Sequence, residues 1–299
     1  EWGLILPLAI PPYILAYTFT GLFDSYGTLN EVAGSIFNLQ ESESFFPNIR
    51  NIYGAILVFS FTLYPYVYLI CRTAFLNQSR SMFEVGRTLG LSQKLIFLKL
   101  ALPIIRPALI AGTMIVAMET LSDFGAVEHF AVSTFTTGIF RTWYGMYDLT
   151  TAMQLASMLL IFITFCLVIE RTSRRNASFS TISSNFKPMP IKKLSSQQSF
   201  LCFLVCFIPI FIGFVLPILE ILNWSLRYNS GFFEKHFFRI SFNTISLSVF
   251  SAILCTFIAM LINFSIRYQN SSIIKVTNPF LNIGYAVPGL ILAVGIVQL

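Results

Sequence analysis

Glu119, Asp123, Glu128 and His129 stand close together in the chain, at and just beyond the end of an apolar segment. Carboxylate oxygens and one imidazole nitrogen are donors that a hard cation accepts, and ionisable groups in or beside apolar segments are functional candidates. The same residues could instead cap helix ends, solubilise the segment and position the loop that follows. A linear cluster carries no ligand geometry, so no metal site is assigned from it. Glu220, at the end of a later apolar segment, has the same two readings, and His236 lies in an amphipathic stretch and reads as surface. Asp123-Phe124-Gly125 copies a kinase tripeptide, but no glycine-rich loop or His-Arg-Asp accompanies it. No G-x-x-x-x-G-K-[ST] occurs, which excludes phosphate binding through a P-loop. The sequence offers no catalytic constellation and no cofactor site.

A second constellation runs from Ser79 to Pro103. Ser81 and Glu84 have capping-box spacing, so the serine caps a helix start and the glutamate reaches back to its amide. Gly90 ends that short helix, because glycine takes the left-handed C′ conformation at little cost. Ser92 is a second cap, and the next helix meets Pro103 and Pro107. A short, capped, basic helix between two apolar segments suits docking of a soluble partner. An ordinary amphipathic loop helix would have the same features.

The elements that position both constellations are apolar. The chain has 299 residues, 56% of them hydrophobic and 11% charged, against roughly 25% charged in a soluble domain. A membrane span needs about 20 mainly apolar residues. Seven such segments are expected, at 3–22, 51–71, 100–121, 149–169, 199–222, 241–263 and 280–299, the first broken by Pro7, Pro11 and Pro12. The fold class is therefore an all-α, polytopic transmembrane helical bundle that lies in a lipid bilayer. Loops 72–99, 170–198 and 264–279 collect most of the lysines and arginines, among them Arg72, Arg80, Arg87, Arg171, Arg174 and Arg175. The positive-inside rule puts these loops in the cytoplasm. The net charge of +6 is thereby explained without nucleic acid. The five cysteines form no C-x-x-C pair and read as small apolar packing residues. Trp143, Tyr144 and Tyr147 could be belt residues at the membrane surface or could contact a partner.

Leu8–Leu22 aligns with Tyr285–Leu299 at a constant offset of 277, pairing Pro11 with Pro288 and Leu15 with Leu292. This suggests a parallel repeat. Residues 1–169 would be a first half, 170–198 a basic cytoplasmic linker, and 199–299 a second half cut before its own capped loop. The chain opens at Glu1 on one apolar run and stops at Leu299 inside another, so a piece of a longer protein is expected.

Glu84-Val85-Gly86, three residues, Gly90, nine residues, then Leu100-Ala101-Leu102-Pro103 resembles the cytoplasmic loop signature of type I ABC importer permeases. That pattern is Glu-Ala-Ala, three residues, Gly, nine residues, Ile-x-Leu-Pro. Val85, Gly86 and Leu100 depart from it, and the spacing is kept. The resemblance implies the type I permease fold in a bacterial inner membrane, and a coupling helix that seats in a groove of a cytoplasmic ATP-binding subunit dimer. On that reading Glu84, Val85, Gly86, Arg87, Gly90, Leu102 and Pro103 form the coupling loop. Gly86 would let the partner approach closely and Arg87 would offer it charge. The stretches Glu119–Phe130 and Thr134–Gly145 are similar to ferric-iron importer permeases, which fuse two halves in one chain. The resemblance implies a periplasmic substrate-binding protein as donor, ferric iron as cargo, and ATP hydrolysis on a separate subunit. Thiamine, polyamine and sulfate permeases share parts of the layout. A secondary transporter driven by an ion gradient is the rival of another class, and it leaves the loop signature unexplained.

Overall fold

The computed structural model describes residues 2–37, 45–78, 80–175, 194–227, 235–268 and 288–297, and among these every regular element is a helix. Trp2–Ala9 is a 3₁₀ helix, and after Pro11 the helical stretch Pro12–Phe37 departs from it at 86°. The three prolines thus break the first apolar segment, as expected from their missing amides. Helix α1 (Pro12–Phe23) ends at Asp24, and α2 (Thr28–Phe37) follows within a stretch expected to be loop. Its formation has a local cause: Asn30 Nδ2 donates to the carbonyls of Phe23 and Asp24, which closes the end of α1 and turns the chain.

Helix α3 (Ile52–Leu76) is capped by Asn51, whose side chain accepts from the amides of Tyr53 and Gly54, a cap worth about 1 kcal/mol. A short loop helix, α4 (Arg80–Thr88), separates it from a second long helical stretch, Gln93–Ser122. That stretch comprises α5 (Gln93–Ile96), a π turn at Phe97–Ala101 and α6 (Leu102–Ser122). Short helices α7 (Gly125–His129) and α8 (Phe135–Phe140) lead through a π turn at Arg141–Gly145 into α9 (Leu149–Arg175). On α9, Ala152, Ala156, Leu159 and Ile163 are buried, the spacing of one helical face. Then come α10 (Ser196–Ile210), a π turn at Phe211–Val215, α11 (Leu216–Arg227), α12 (Lys235–Tyr268) and α13 (Gly289–Val297).

Among the described residues, five helical stretches are long and apolar enough to cross a membrane, and the broken first segment makes a sixth. Of the seventh expected span only residues 288–297 are described. The linker 170–198 and the loop 264–279 fall largely outside the described residues. The chain divides into two compact units, one of Glu1–Glu220 with Val287–Leu299 and one of Ile221–Ala286. The second unit is built on α12, whose apolar window has no buried residue.

In the first unit the core joins Leu15, Ala16 and Phe19 of α1 to Ala55, Val58, Phe59 and Leu63 of α3, with Ala126, Val127 and Phe130 closing it. Helix α6 crosses α3 so closely that a Cβ on Gly112 would lie 2.8 Å from Val67 Cα. Gly213 makes a similar approach, with a Cβ 2.8 Å from the carbonyl oxygen of Phe61. Small residues at such crossings let membrane helices gain van der Waals contact that lipid cannot outcompete. The two segments aligned at the offset of 277 share one backbone detail. Pro11 O accepts from Ile14 N at 3.0 Å and Leu15 N at 3.2 Å, and Pro288 O accepts from Ile291 N at 3.0 Å and Leu292 N at 3.3 Å.

Gly112→Ala forces a methyl group into the backbone of α3 and should cost about 1–3 kcal/mol. Gly34→Ala, on a glycine with open space around it, should be neutral or slightly stabilising. Thermal unfolding of the two variants in detergent checks the contrast.

Candidate functional site

The loop between α3 and α6 carries the sequence signature, and its local structure follows from a few residues. Gly90 sits at φ +74°, with its amide donating to Arg87 O at 2.9 Å and Leu91 N donating to Gly86 O at 3.0 Å. These two bonds form a Schellman stop, which glycine enters without a Cβ penalty. Ser92 caps α5 by accepting from Leu95 N at 3.4 Å. Helix α4 already includes Arg80, so the backbone places Ser81 inside the helix and one residue past its start. Its side chain lies outside the described residues.

Glu84, Val85 and Arg87 are exposed on α4 and Leu89 just past its end, Val85 by 56% and Leu89 by 71%. Charge beside exposed aliphatic surface is what a docking helix offers a protein partner. Gly86 has a different job from the expected one. A Cβ there would lie 2.9 Å from Ile96 Cγ1 and 3.1 Å from Leu100 Cδ1. The surface that approaches Gly86 is therefore the chain's own α5 and π turn, and no gap for a partner is left on that side. At the base of α6, Leu102 N donates to Phe97 O across the π turn, and Pro103 occupies the first turn of α6. The π turn lies next to a proline that cannot donate, the usual place for such a widening.

Gln78, which the sequence reading did not single out, joins the two stems of the loop. It is 5% exposed, and its Nε2 donates to Ala101 O at 3.0 Å. No local pattern announces it, since the bond spans 23 residues.

The cluster of Glu119, Asp123, Glu128 and His129 does not assemble into one site. Asp123 Oδ1 accepts from Ala126 N at 2.9 Å and Val127 N at 3.2 Å, so it starts α7. Burial pushes its carboxyl above the usual value against those two donors, with Glu119 adding to the rise. Glu128 pairs with Arg141, Nη2 to Oε2 at 3.1 Å, on the surface. His129 turns inward to Thr20 Oγ1 at 2.7 Å from Nε2, with the rings of Tyr13 and Tyr17 edge-on to it. Thr20 spends its own proton on Tyr17 O at 2.9 Å, so the ring proton belongs on Nε2 and donates to Thr20. Glu119 remains on α6. Among the described residues no three His, Cys, Asp or Glu side chains converge on a metal position. The capping and positioning reading therefore describes Asp123, and an exposed ion pair describes Glu128. Glu220 is buried and accepts from the Thr28 hydroxyl, a link across 192 residues that sequence alone does not reveal. His236 is exposed.

Long apolar helices, with a loop helix ended by Gly90 between two of them, define a multi-pass membrane protein. The chain belongs to the family described as binding-protein-dependent transport system inner membrane component, whose model matches residues 2–175. It is accordingly a multi-pass inner-membrane protein. It is similar to the Fe(3+)-transport system permease protein FbpB 2 of Haemophilus influenzae, 26% identical over 99% of this chain and 55% of the relative. It also resembles the ferric transport system permease protein FbpB of Actinobacillus pleuropneumoniae, 25% identical over 60% of this chain and 26% of the relative. A probable sulfate transport system permease protein, cysT of Chlorella vulgaris, is 28% identical over 41% of this chain and 43% of its own length. The chain thus spans about half the length of the first of these relatives and less of the others. No solved structure matches the chain significantly.

Burial, and then nearby Arg50, hold His129 below the ordinary imidazole value of 6.5, with Asp24 opposing them. The unfolded chain then takes up the proton first, so His129 contributes stability above about pH 6.5 that is lost as the pH falls below it. His129→Gln keeps a donor for Thr20 and removes the titration. The stability gap between wild type and this variant should narrow between about pH 7 and pH 5.5. A gap that stays constant in thermal melts over that range would refute the assignment.

Proposed function

We propose that this chain is the membrane-spanning permease part of an ATP-driven importer that moves ferric iron from a periplasmic binding protein to the cytoplasm. The observation that carries the proposal is the loop Glu84–Pro103. It keeps the coupling-signature spacing, it ends α4 in a glycine stop, and it presents Glu84, Val85, Arg87 and Leu89 outward. The cargo rests on the names of the relatives, two of which are ferric permeases, while the sulfate permease matches a shorter part of the chain.

On this reading ATP is hydrolysed by a separate cytoplasmic ATP-binding subunit dimer, and α4 seats in a groove of one subunit. Loops 72–99, 170–198 and 264–279 face the cytoplasm, in keeping with their lysines and arginines. Residues 1–169 form a first permease half, 170–198 the linker, and 199–299 the start of a second half. The matching carbonyl contacts of Pro11 and Pro288 support that repeat. Rotation of the ATPase would reach the paired helices α3 and α6 as a rigid-body push. Glu119, Asp123, Glu128 and His129 shape the outer face beneath the binding protein, without acting as a resident metal site.

Reconstitution of the complete protein in liposomes, with its binding protein inside the assay and with or without the ATPase, tests the proposal. Iron uptake should require ATP and the ATPase. Glu84→Lys and Gly90→Pro should reduce uptake to background while the protein still inserts in the membrane. Uptake without the ATPase would replace the proposal by gradient-driven transport.

A further inference from the structure

We infer that Gln78 is the positioning residue that makes α4 and the base of α6 move as one body, through its side-chain bond to the Ala101 carbonyl. The inference rests on the coupling role proposed above for α4.

Gln78 lies in the short link between the end of α3 and the start of α4, its amide donating to Phe75 O at 3.1 Å. Its side chain crosses the loop to Ala101, the last residue of the π turn that opens α6. The loop leaves α3 and returns to α6 at points joined by this bond and by the stacked rings of Phe75 and Phe97, 6.1 Å apart. Gly86 supplies a further apolar contact, α4 lying on Ile96 and Leu100. An apolar contact of that kind resists separation but yields to sliding and rotation. A directional bond at the stem fixes the register.

The remaining atom of the amide distinguishes a coupling role from a stabilising one. Gln78 Oε1 is buried and has no hydrogen-bond partner among the described residues. A half-satisfied buried amide contributes less to folding than its single bond suggests, since the orphan acceptor has given up water without return. Methionine, unbranched and apolar, fills much the same space and leaves no orphan. Gln78→Met should therefore separate two properties that a purely structural residue would lose together.

The test uses the complete permease assembled with its ATPase subunits in proteoliposomes, spin-labelled at Thr88 on α4 and Ile104 on α6, both exposed. In wild type the distance between the labels should be narrow and identical in the nucleotide-free and ATP-trapped states. In Gln78→Met it should broaden or differ between the states, and iron transported per ATP should fall about fivefold, the factor one net hydrogen bond is worth. The melting temperature should hold or rise. If Gln78→Met fails to assemble, Gln78→Asn, which shortens the reach by one methylene, carries the same measurement. An unchanged narrow distance in the variant overturns the inference, and so does a melting temperature that falls in step with transport. Glu84→Lys keeps the two failures apart. If it uncouples while Gln78→Met does not, only the Gln78 role falls. If Glu84→Lys couples normally, the docking reading itself is wrong and the Gln78 role in coupling goes with it.

Discussion

The crossing of α3 and α6 at Gly112 and Val67 is the contact from which the loop carrying α4 hangs. Two helices surrounded by lipid have no water to exclude from between them, so they stay together only where backbones come close enough for dense packing. A glycine at the crossing provides that closeness. With the two helices fixed there, their ends lie near each other, and α4 need only bridge a short gap. Gly86 then seats α4 against Ile96 and Leu100, and Gln78 ties the stem. A force applied at α4 thus meets a braced pair of helices, which is a firmer lever than a single span.

A second constraint is the fate of backbone groups that proline deprives of a partner. In hydrocarbon an unsatisfied carbonyl has no water to turn to. Leu102-Pro103 and Leu216-Pro217 are both preceded directly by a π turn, with Leu102 N donating to Phe97 O and Leu216 N donating to Phe211 O. Widening the turn next to the proline lets the helix continue as one stretch. The first apolar segment meets the problem differently. Pro7, Pro11 and Pro12 are too close together for one widened turn, and the chain breaks through 86°.

Where the sequence is legible, the cause lies within a few residues. Gly90 and Ser92 act through their own backbone conformation or the nearest amide, and apolar length alone marks the spans. Ser81 shows the limit of such reasoning, because α4 includes Arg80 before it and the capping spacing falls inside the helix. Glu119, Asp123, Glu128 and His129 are neighbours in the chain, yet three of them serve a helix start, an arginine and a threonine on α1. Direction, which sequence does not carry, decides whether neighbours cooperate. Gln78 to Ala101 and Thr28 to Glu220 are invisible for the opposite reason, being bonds between residues far apart in the chain.

The π turn at Phe97–Ala101 also sets an angular register. In an unbroken α-helix the five residues from Ile96 to Ala101 would rotate through about 500°, placing their side chains about 140° apart. A π turn absorbs one extra residue, so the same step turns the chain only about as far as four residues do, leaving them about 40° apart. Ile96, Ala101, Ile105 and Gly112, all buried, then fall along one side of a single rod. The side that receives the loop is the side that faces α3. Tightening this turn to regular α geometry with all of its residues kept would leave the helix intact and swing its loop-bearing end about a quarter of the way around its axis.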